Sequence, residues 1–247
     1  MIKRLLVVGG ANGIGLSISV EMASRSSVEK VYVVDKDIFP ADYLSPKIEA
    51  FQFNLSSSDY SFFDRFSDIN AIMITAGFGK LAHFRDITET HIIESFQVNT
   101  LPTLRLIKRF YDKIAAKEDF YCGVMVSIAG WISSPLFAVY GATKAALKSF
   151  IASLNVELIK TGSSNCILDV SPGSIKGTSF NSGKTDINET KELAQAIISH
   201  LENKDDVFIP MYEEVFRDVL RRHNEDFRKE GLHSYDYKMK SGRLLNK

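Results

Sequence analysis

The chain has 247 residues, of which 45% are hydrophobic and 11% aromatic, so it can bury a sizeable core without disulfide bonds. Its 30 basic and 30 acidic side chains cancel to a formal net charge of zero, which argues against nucleic acid or an anionic membrane as a partner. No apolar run approaches the roughly 18 residues that span a bilayer, and the amino terminus lacks a signal-peptide pattern, so we expect a cytoplasmic protein.

The cysteine and histidine positions predict neither a disulfide nor a metal site. Cys122 and Cys166 lie in or beside apolar runs, which is typical of reduced, buried thiols. No group of cysteines and histidines has the spacing of a zinc site, and His83 and His91 are spaced wrongly for one helix face.

Short apolar runs alternate with longer helical patterns along the chain. Several runs are apolar on successive residues, as in strands buried on both faces of a parallel sheet. We therefore predict a single-domain α/β protein over residues 1–247, with a doubly wound, Rossmann-type parallel sheet and helices on both faces. The predicted strands are residues 2–8, 31–34, 50–53, 71–74, 123–127, 166–170 and 206–209. The predicted helices include residues 13–26, 89–116, 140–160 and 189–202.

The first predicted strand leads into a glycine-rich stretch, Gly9-Gly10-Ala11-Asn12-Gly13-Ile14-Gly15, where a helical pattern begins. Glycine allows the backbone angles of a tight turn and a close approach to a pyrophosphate, and the free amides of the helix start favour phosphate. A glycine-rich loop alone is a weak signal. Its strand–loop–helix context favours a dinucleotide site over an ordinary turn.

An acidic residue, Asp35, ends the second predicted strand. A carboxylate there can accept hydrogen bonds from the ribose hydroxyls of NAD and repels the additional phosphate of NADP. Lys36 could offset that repulsion, and Asp35 could instead merely begin a turn with Asp37. The sequence favours NAD, with NADP as the alternative.

Further cofactor contacts are expected where other strands end. The small residues Ala76 and Gly77, after the fourth strand, would let a flat ligand lie against the backbone. Asn54 and Leu55, after the third strand, are candidates for the adenine pocket.

Tyr140 and Lys144 open a predicted helix and are four residues apart, so they share one face. A nearby cation favours the phenolate and lowers the pKa of the phenol, which suits acid–base work at a carbonyl. Ser127 ends the fifth strand, where a hydroxyl can bond a substrate oxygen. Asn99 lies inside a helical pattern that Asn disfavours, which indicates either function or a buried hydrogen bond to the backbone.

These residues resemble the motifs of the classical short-chain dehydrogenase/reductase family, in order and in spacing, over nearly the whole chain. The matching positions are Gly9, Gly13 and Gly15, Asn99, Ser127 with Gly130, Tyr140 with Lys144, and Pro172-Gly173. Several positions depart from the family pattern. Val8 and Asn54 stand where Thr and Asp are usual, Ile74-Thr75-Ala76-Gly77 stands where Asn-Asn-Ala-Gly is frequent, and Thr178 comes one residue late after the Pro-Gly pair.

The resemblance implies defined roles. Tyr140 would exchange the proton, Lys144 would lower the pKa of the phenol and hold the nicotinamide ribose, Ser127 would position the substrate oxygen, and Asn99 would hold a water that links Lys144 to solvent. A hydride would pass between the nicotinamide and a carbonyl or secondary alcohol. The resemblance also places Pro172, Gly173, Ile175 and Thr178 at the cofactor.

Other functions fit parts of the pattern. An epimerase or dehydratase acting on nucleotide sugars uses the same Tyr and Lys but usually has a longer carboxyl-terminal domain. A non-catalytic NAD sensor tends to lose one of the two residues, and a methyltransferase would leave both unexplained.

The substrate side of the protein is the least defined part of the sequence. The polar residues 178–188 are a predicted lid loop, and residues 211–247 form an extension with one more helix. Trp131, Phe137, Phe78 and Phe180 are candidates for the substrate pocket, which would suit an apolar or ring-bearing substrate. Surplus apolar residues in the two longest predicted helices, together with the resemblance, predict a homodimer or homotetramer.

Overall fold

The apolar runs form one sheet of seven parallel strands in the order β3-β2-β1-β4-β5-β6-β7. The structure, a computed structural model, describes residues 1–178, 180 and 184–240. The predicted doubly wound parallel sheet is therefore confirmed, with boundaries that differ from the predicted ones by a few residues. The strands are β1 (Arg4–Val8), β2 (Lys30–Asp35), β3 (Ile48–Gln52), β4 (Ala71–Ile74), β5 (Tyr121–Met125), β6 (Ile167–Val170) and β7 (Val207–Phe208).

The central strand β1 shows why the runs are apolar on successive residues. Leu5 and Val7 pack into the apolar cluster on one face of the sheet, and Leu6 and Val8 into the cluster on the other. The chain order of the strands reverses between β1 and β4, which pair directly. In an open parallel sheet, ligands bind beyond the carboxyl ends of the strands at such a switch point.

Two layers of helices cover the sheet. Helices α1 (Gly13–Ser24) and α6 (Ile187–Asn203) lie against the face that contains Leu5 and Val7, and the hydroxyls of Ser17 and Thr190 join them through a buried hydrogen bond of 2.5 Å. The opposite face is covered in part by α5 (Ala138–Thr161).

The single helix predicted over residues 89–116 is wrong. The structure has three helices there, α2 (Glu89–Asn99), α3 (Leu101–Arg109) and α4 (Tyr111–Ile114). Pro102 lies in the first turn of α3, where its lack of an amide hydrogen is tolerated. It could not continue α2, because a helix interior needs that hydrogen bond.

The carboxyl-terminal extension also contains more helix than predicted. A π-helical turn (Tyr212–Phe216) leads into α7 (Arg217–Glu225) and then α8 (Phe227–Lys240), instead of one helix. Asp226 separates the two α-helices, and its carboxylate accepts the amides of Arg228 and Lys229, both at 3.0 Å, which caps α8. Residues 241–247 lie outside the described part of the chain.

Candidate active site

The glycine-rich stretch forms a turn in which larger residues could not replace the glycines at positions 9, 13 and 15 without strain or steric overlap. Gly9 and Gly13 have φ angles of +91° and +52°. A Cβ atom on Gly9 would lie 2.5 Å from the amide nitrogen of Ala76, and one on Gly15 would lie 2.2 Å from the carbonyl oxygen of Gly9. Backbone therefore packs directly on backbone at the start of α1, as a close approach to a pyrophosphate requires.

Two carboxylates lie beside this turn at the end of β2. Asp35 accepts the amide hydrogen of Ala11 at 2.9 Å and that of Asp37 at 3.1 Å. Asp37 in turn accepts a hydrogen bond from the Asn12 side chain at 3.0 Å. Asp35 therefore does begin a turn with Asp37, which was the alternative role that the sequence allowed for it. Both carboxylates nevertheless bring negative charge to the edge where a ribose would bind.

A cleft of about 360 Å³ adjoins these carboxylates. Its walls include Asp35, Asp37, Ile38, Phe39 and Leu44, so charged oxygen atoms line one part and apolar side chains another. Ile38 is 77% exposed, which leaves apolar surface in contact with solvent. A ribose with a flat base attached has the same division between polar and apolar parts.

The two candidates for the adenine pocket are engaged in their own turn. The side-chain oxygen of Asn54 accepts the amide hydrogen of Ser56 at 3.0 Å, and the carbonyl of Leu55 accepts the hydroxyl of Tyr60 at 2.7 Å. Their contact with a base therefore stays a prediction.

The four predicted catalytic side chains come together beyond β4 and β5. Ser127 follows β5 and hydrogen-bonds with Tyr140 in the first turn of α5. One turn later, the ammonium group of Lys144 lies 5.7 Å from the centre of the Tyr140 ring and donates to the carbonyl of Met125 at 2.8 Å. Asn99 ends α2 and is fully buried.

The side chain of Asn99 is held by protein groups. It accepts the amide hydrogen of Phe78 at 2.9 Å and donates to the carbonyl of Phe78 at 2.8 Å and to the hydroxyl of Thr143 at 3.1 Å. This is the buried hydrogen bond to the backbone that the sequence left open as the alternative to function. A role of Asn99 in holding a water stays a prediction.

Gly77 keeps space open beside this cluster. A Cβ atom on Gly77 would lie 3.2 Å from both the side-chain oxygen of Asn99 and the ammonium nitrogen of Lys144. A side chain at position 77 would therefore crowd the ammonium group of Lys144, which is itself buried. The contact of Lys144 with a nicotinamide ribose stays a prediction.

Burial shifts the pKa values of both Tyr140 and Lys144. It raises the pKa of Tyr140 to about 12, against a smaller lowering by the hydrogen bond with Ser127. Burial also lowers the pKa of Lys144 to about 8, against an opposing effect of the Asp169 carboxylate. The expected lowering of the phenol pKa by Lys144 is wrong for this structure: the pKa of Tyr140 is raised, and Ser127, not Lys144, is the group that opposes the effect of burial. Desolvation disfavours the charged form of each group.

Two aromatic rings lie against the phenol ring of Tyr140. The ring of Phe180 lies 5.0 Å from that of Tyr140 and 5.9 Å from that of Phe137, centre to centre. A Cβ atom on Gly79 would lie 2.7 Å from the Phe180 ring. Trp131 has a different environment, because its indole nitrogen donates to the hydroxyl of Ser171 at 2.9 Å.

The segment after β6 crosses back over the glycine turn. Gly177, just before Thr178, has a φ of +71°, a left-handed conformation that glycine adopts without strain. The Thr178 side chain then lies 3.5 Å from a Cβ built on Gly13, whose amide donates to the hydroxyl of Thr185 at 3.2 Å. Of the predicted lid, residues 179 and 181–183 lie outside the described part.

Pro172, Gly173 and Ile175 lie between the two halves of the site. The carbonyl of Pro172 accepts the amide hydrogen of Ile128 at 3.0 Å, and that of Ile175 accepts the Thr178 hydroxyl at 3.1 Å. Gly173 is covered by the Phe216 ring, which would lie 2.6 Å from a Cβ atom there. Their contact with a cofactor, like that of Ile14 at the start of α1, stays a prediction.

The carboxyl-terminal helices, whose contacts the sequence did not reveal, hold the loop between β5 and α5. A ring nitrogen of His223 accepts the amide hydrogen of Ser133 at 2.9 Å. From α8, Lys238 donates to the hydroxyl of Ser134 at 2.8 Å and to the carbonyl of Pro135 at 2.9 Å. The extension therefore fixes the segment that precedes Tyr140.

Two negative findings concern the described residues alone. Within residues 1–178, 180 and 184–240, no three His, Cys, Asp or Glu side chains are grouped as a metal site would need. Over the same ranges, none of the helices combines the length and the apolar character of a membrane span. Cys122 and Cys166 are unpaired, the first buried and the second half-buried.

Comparisons with known proteins identify a family and a shared fold. A sequence profile described as short chain dehydrogenase matches residues 3–192. A dehydrogenase of Cochliobolus heterostrophus named RED2 is 27% identical over 169 residues, which cover 63% of this chain and 61% of that protein. The match thus spans about three fifths of the length of that relative.

Solved structures share the fold over nearly the full chain. A short chain dehydrogenase/reductase from Burkholderia phymatum, in complex with NAD, has a TM-score of 0.77 at 14% identity and covers 92% of this chain and 95% of its own. A short chain dehydrogenase from Burkholderia cenocepacia, in complex with NADP, has a TM-score of 0.73 at 19% identity and covers 99% and 98%. Similar structures thus hold either cofactor.

Proposed function

The chain belongs to the short-chain dehydrogenase family, and from that premise we propose that it is a nicotinamide-dependent oxidoreductase that interconverts a carbonyl and a secondary alcohol. The observation that carries the proposal is the cluster of Ser127, Tyr140 and Lys144 at the carboxyl end of the sheet, with Asn99 beside it. A phenol that shares a hydrogen bond with a serine and lies close to a buried ammonium is suited to proton exchange with a substrate oxygen.

The residues present fit a dinucleotide. The turn between Gly9 and Gly15 brings backbone amides to the start of α1, Asp35 would receive the ribose, and Gly77 adds no side chain beside Lys144. When bound, the nicotinamide would supply or accept the hydride. Lys144 would hold the adjoining ribose through its ammonium group.

The remaining chemistry belongs to the side chains of the protein. With its pKa raised to about 12, Tyr140 keeps its proton at neutral pH and can donate it from Oη to a carbonyl oxygen during reduction. In oxidation the same oxygen would take the proton from the alcohol. Ser127 would donate a hydrogen bond to the substrate oxygen as its charge changes.

We propose NAD as the preferred cofactor. Asp35 and Asp37 both lie beside the glycine turn, and two carboxylates would repel the additional phosphate of NADP more strongly than one. Lys36 supplies an opposing charge, so the preference depends on which side chains face the ribose.

An apolar or ring-bearing substrate is proposed from the rings of Phe137 and Phe180, which lie against the ring of Tyr140.

The unit of function would be a single domain, with the loop of residues 178–188 as its lid and residues 211–247 as an extension over the substrate side. A cytoplasmic location is also proposed, on the basis of composition and the two unpaired thiols.

A homodimer or homotetramer is proposed from the outer faces of α2, α3 and α5. Ile93 and Leu101 are half-exposed, while Val156 and Ile159 are 62% and 72% exposed. Other apolar residues of these helices, such as Ile107 and Ile151, are buried within one chain. The exposed ones could pack against a second copy across a two-fold axis.

A panel of carbonyls and alcohols, assayed with both cofactors by absorbance of the reduced nicotinamide, tests the reaction. Cyclic and aromatic ketones should be reduced faster than small charged keto acids, and Tyr140→Phe should abolish the signal. Product formation without net change of the cofactor would favour an epimerase or dehydratase. Cofactor binding without turnover of any compound would favour a sensor.

A further inference from the structure

A buried carboxyl group lies under the catalytic helix. Asp169 is on β6 and is 2% exposed. Alternate residues of a strand share a face, and Ile167, two residues earlier, packs into the apolar cluster that contains Leu147 and Ile151 of α5. Asp169 therefore points towards α5, where an unpaired carboxylate would be costly.

A chain of hydrogen bonds holds this carboxyl group. The hydroxyl of Ser171 donates to Asp169 at 2.6 Å and accepts the indole N–H of Trp131 at 2.9 Å. The ammonium group of Lys148 lies 4.1 Å from the centre of the Trp131 ring. Ser171, which Trp131 holds in turn, thus donates to Asp169 and favours its ionised form.

Lys144 lies next to this network. Its ammonium group donates to the carbonyl of Met125, and Met125 pairs across the sheet with Val170, the residue after Asp169. Lys144 is 2% exposed, so it has almost no water to stabilise its charge. Tyr140 presents only its aromatic ring to the ammonium group of Lys144, whereas Asp169 acts on that group with a negative charge.

We propose that Asp169 is a positioning residue whose carboxylate keeps Lys144 protonated, so that Lys144 can act on Tyr140. The charged groups that act on Asp169 are Lys148 and Lys144, both on α5. Burial raises the pKa of Asp169 to about 6, and the Ser171 hydrogen bond is the main opposing effect. The carboxylate is therefore ionised at neutral pH. The effect on Tyr140 rests on the proposed function. The effect of Asp169 on the charge of Lys144 does not.

Nuclear magnetic resonance of isotopically labelled lysine tests this without cofactor or substrate. The Lys144 signal, assigned with Lys144→Met, is followed against pH in the unmodified protein, in Asp169→Asn and in Asp112→Asn. Asn keeps the shape of Asp and can still accept the Ser171 hydrogen bond. Asp112 is an exposed residue of α4 and is the matched control. We expect Asp169→Asn to lower the Lys144 midpoint by roughly one pH unit and the control to leave it unchanged.

A second measurement tests the effect of Asp169 on Lys144 even if Asp169→Asn does not fold. In the unmodified protein, the Lys144 signal should show a smaller inflection near pH 6, where Asp169 titrates. If the protein is active, the alkaline limb of kcat/KM for carbonyl reduction should move with the Lys144 midpoint in the variant.

Two results would overturn the role of Asp169: an unchanged Lys144 midpoint in folded Asp169→Asn, or a Lys144 signal without the inflection near pH 6. A shifted midpoint in a protein that turns over no carbonyl or alcohol with either cofactor would contradict the proposed function instead. The two failures are therefore distinguishable.

Discussion

The hydroxyl of Thr75, at the end of β4, lies 3.1 Å from the carbonyl oxygen of Val8, at the end of β1. It lies 2.9 Å from the carbonyl of Gly9 as well. Val8 stands where the related family usually has a threonine, and this chain has its threonine on the neighbouring strand instead. Thr75 thus supplies a hydroxyl to the turn that the residue at position 8 cannot supply.

Thr75→Val should loosen the glycine turn without changing the shape of the side chain. The carbonyls of Val8 and Gly9 would lose a donor, and a typical internal hydrogen bond contributes about 1 kcal/mol. We expect the free energy of unfolding to fall by about 1 kcal/mol in urea titration, and cofactor affinity to weaken.

The control for that experiment is Thr161→Val, near the end of α5, whose hydroxyl donates to the carbonyl of Leu158 at 2.7 Å within its own helix. It should leave cofactor affinity unchanged. Equal loss of cofactor affinity in both variants would contradict a specific role of Thr75.

The sheet and the catalytic cluster could be predicted because their signals are local. Successive apolar residues mark a buried parallel strand, and the four-residue spacing of Tyr140 and Lys144 fixes a shared helix face. The predicted helix over residues 89–116 runs through Pro102, where the structure separates α2 from α3. A proline there was a sufficient signal for a new helix start.

Contacts between distant parts of the chain could not be predicted in this way. The hydrogen bond of Trp131 with Ser171, 40 positions apart, depends on how the end of β6 and the loop after β5 meet. The contact of His223 with Ser133 joins residues 90 positions apart. The direction in which the pKa of Tyr140 shifts also depends on burial, which cannot be predicted from the four-residue spacing of Tyr140 and Lys144.

Tyr140→Phe should stop the reaction while preserving the fold. The variant keeps the ring that contacts Phe137 and Phe180 and loses only the proton-donating oxygen. Turnover of the substrate found in the panel should fall by at least about a hundredfold, the usual loss for a general acid. Calorimetry should show cofactor affinity within a few-fold of the unmodified protein.

Tyr111→Phe is the control for the catalytic substitution, because Tyr111 is a half-buried residue of α4 outside the cluster. Its turnover should be unchanged. Near-normal turnover by Tyr140→Phe would remove Tyr140 from the mechanism.

Asp35→Ala should narrow the difference in affinity between NAD and NADP. The substitution removes a predicted acceptor for the ribose hydroxyls together with a charge that repels the additional phosphate, so NAD should bind more weakly and NADP more tightly. Asp37→Ala should produce a smaller change in the same direction, because Asp37 is held by Asn12. Calorimetric titration with both cofactors measures each effect, and tighter binding of NADP than of NAD by the unmodified protein would contradict the preference.

Lys144→Met/Asp169→Asn should give a more stable but inactive protein. Both charged groups are buried, and replacing buried opposite charges with apolar residues of similar volume is often stabilising by about 1–4 kcal/mol. Asp169→Asn leaves a polar amide, so we expect a gain at the lower end of that range. The pKa of Lys144 is about 8 in the folded protein against an ordinary value of 10.5, so the unfolded chain binds more protons between these values and the unmodified protein gains stability as pH rises. The advantage of the variant should therefore shrink over that range.

The carboxyl group has the opposite dependence at lower pH. The pKa of Asp169 is about 6 in the folded protein and 3.8 ordinarily, so the folded protein binds more protons in that window and loses stability as pH rises through it. The advantage of the double variant should consequently grow between pH 3.8 and about 6, be largest between about 6 and 8, and fall towards pH 10.5. Urea unfolding across this range measures the profile, and an advantage that does not vary with pH would show that packing rather than buried charge separates the two proteins.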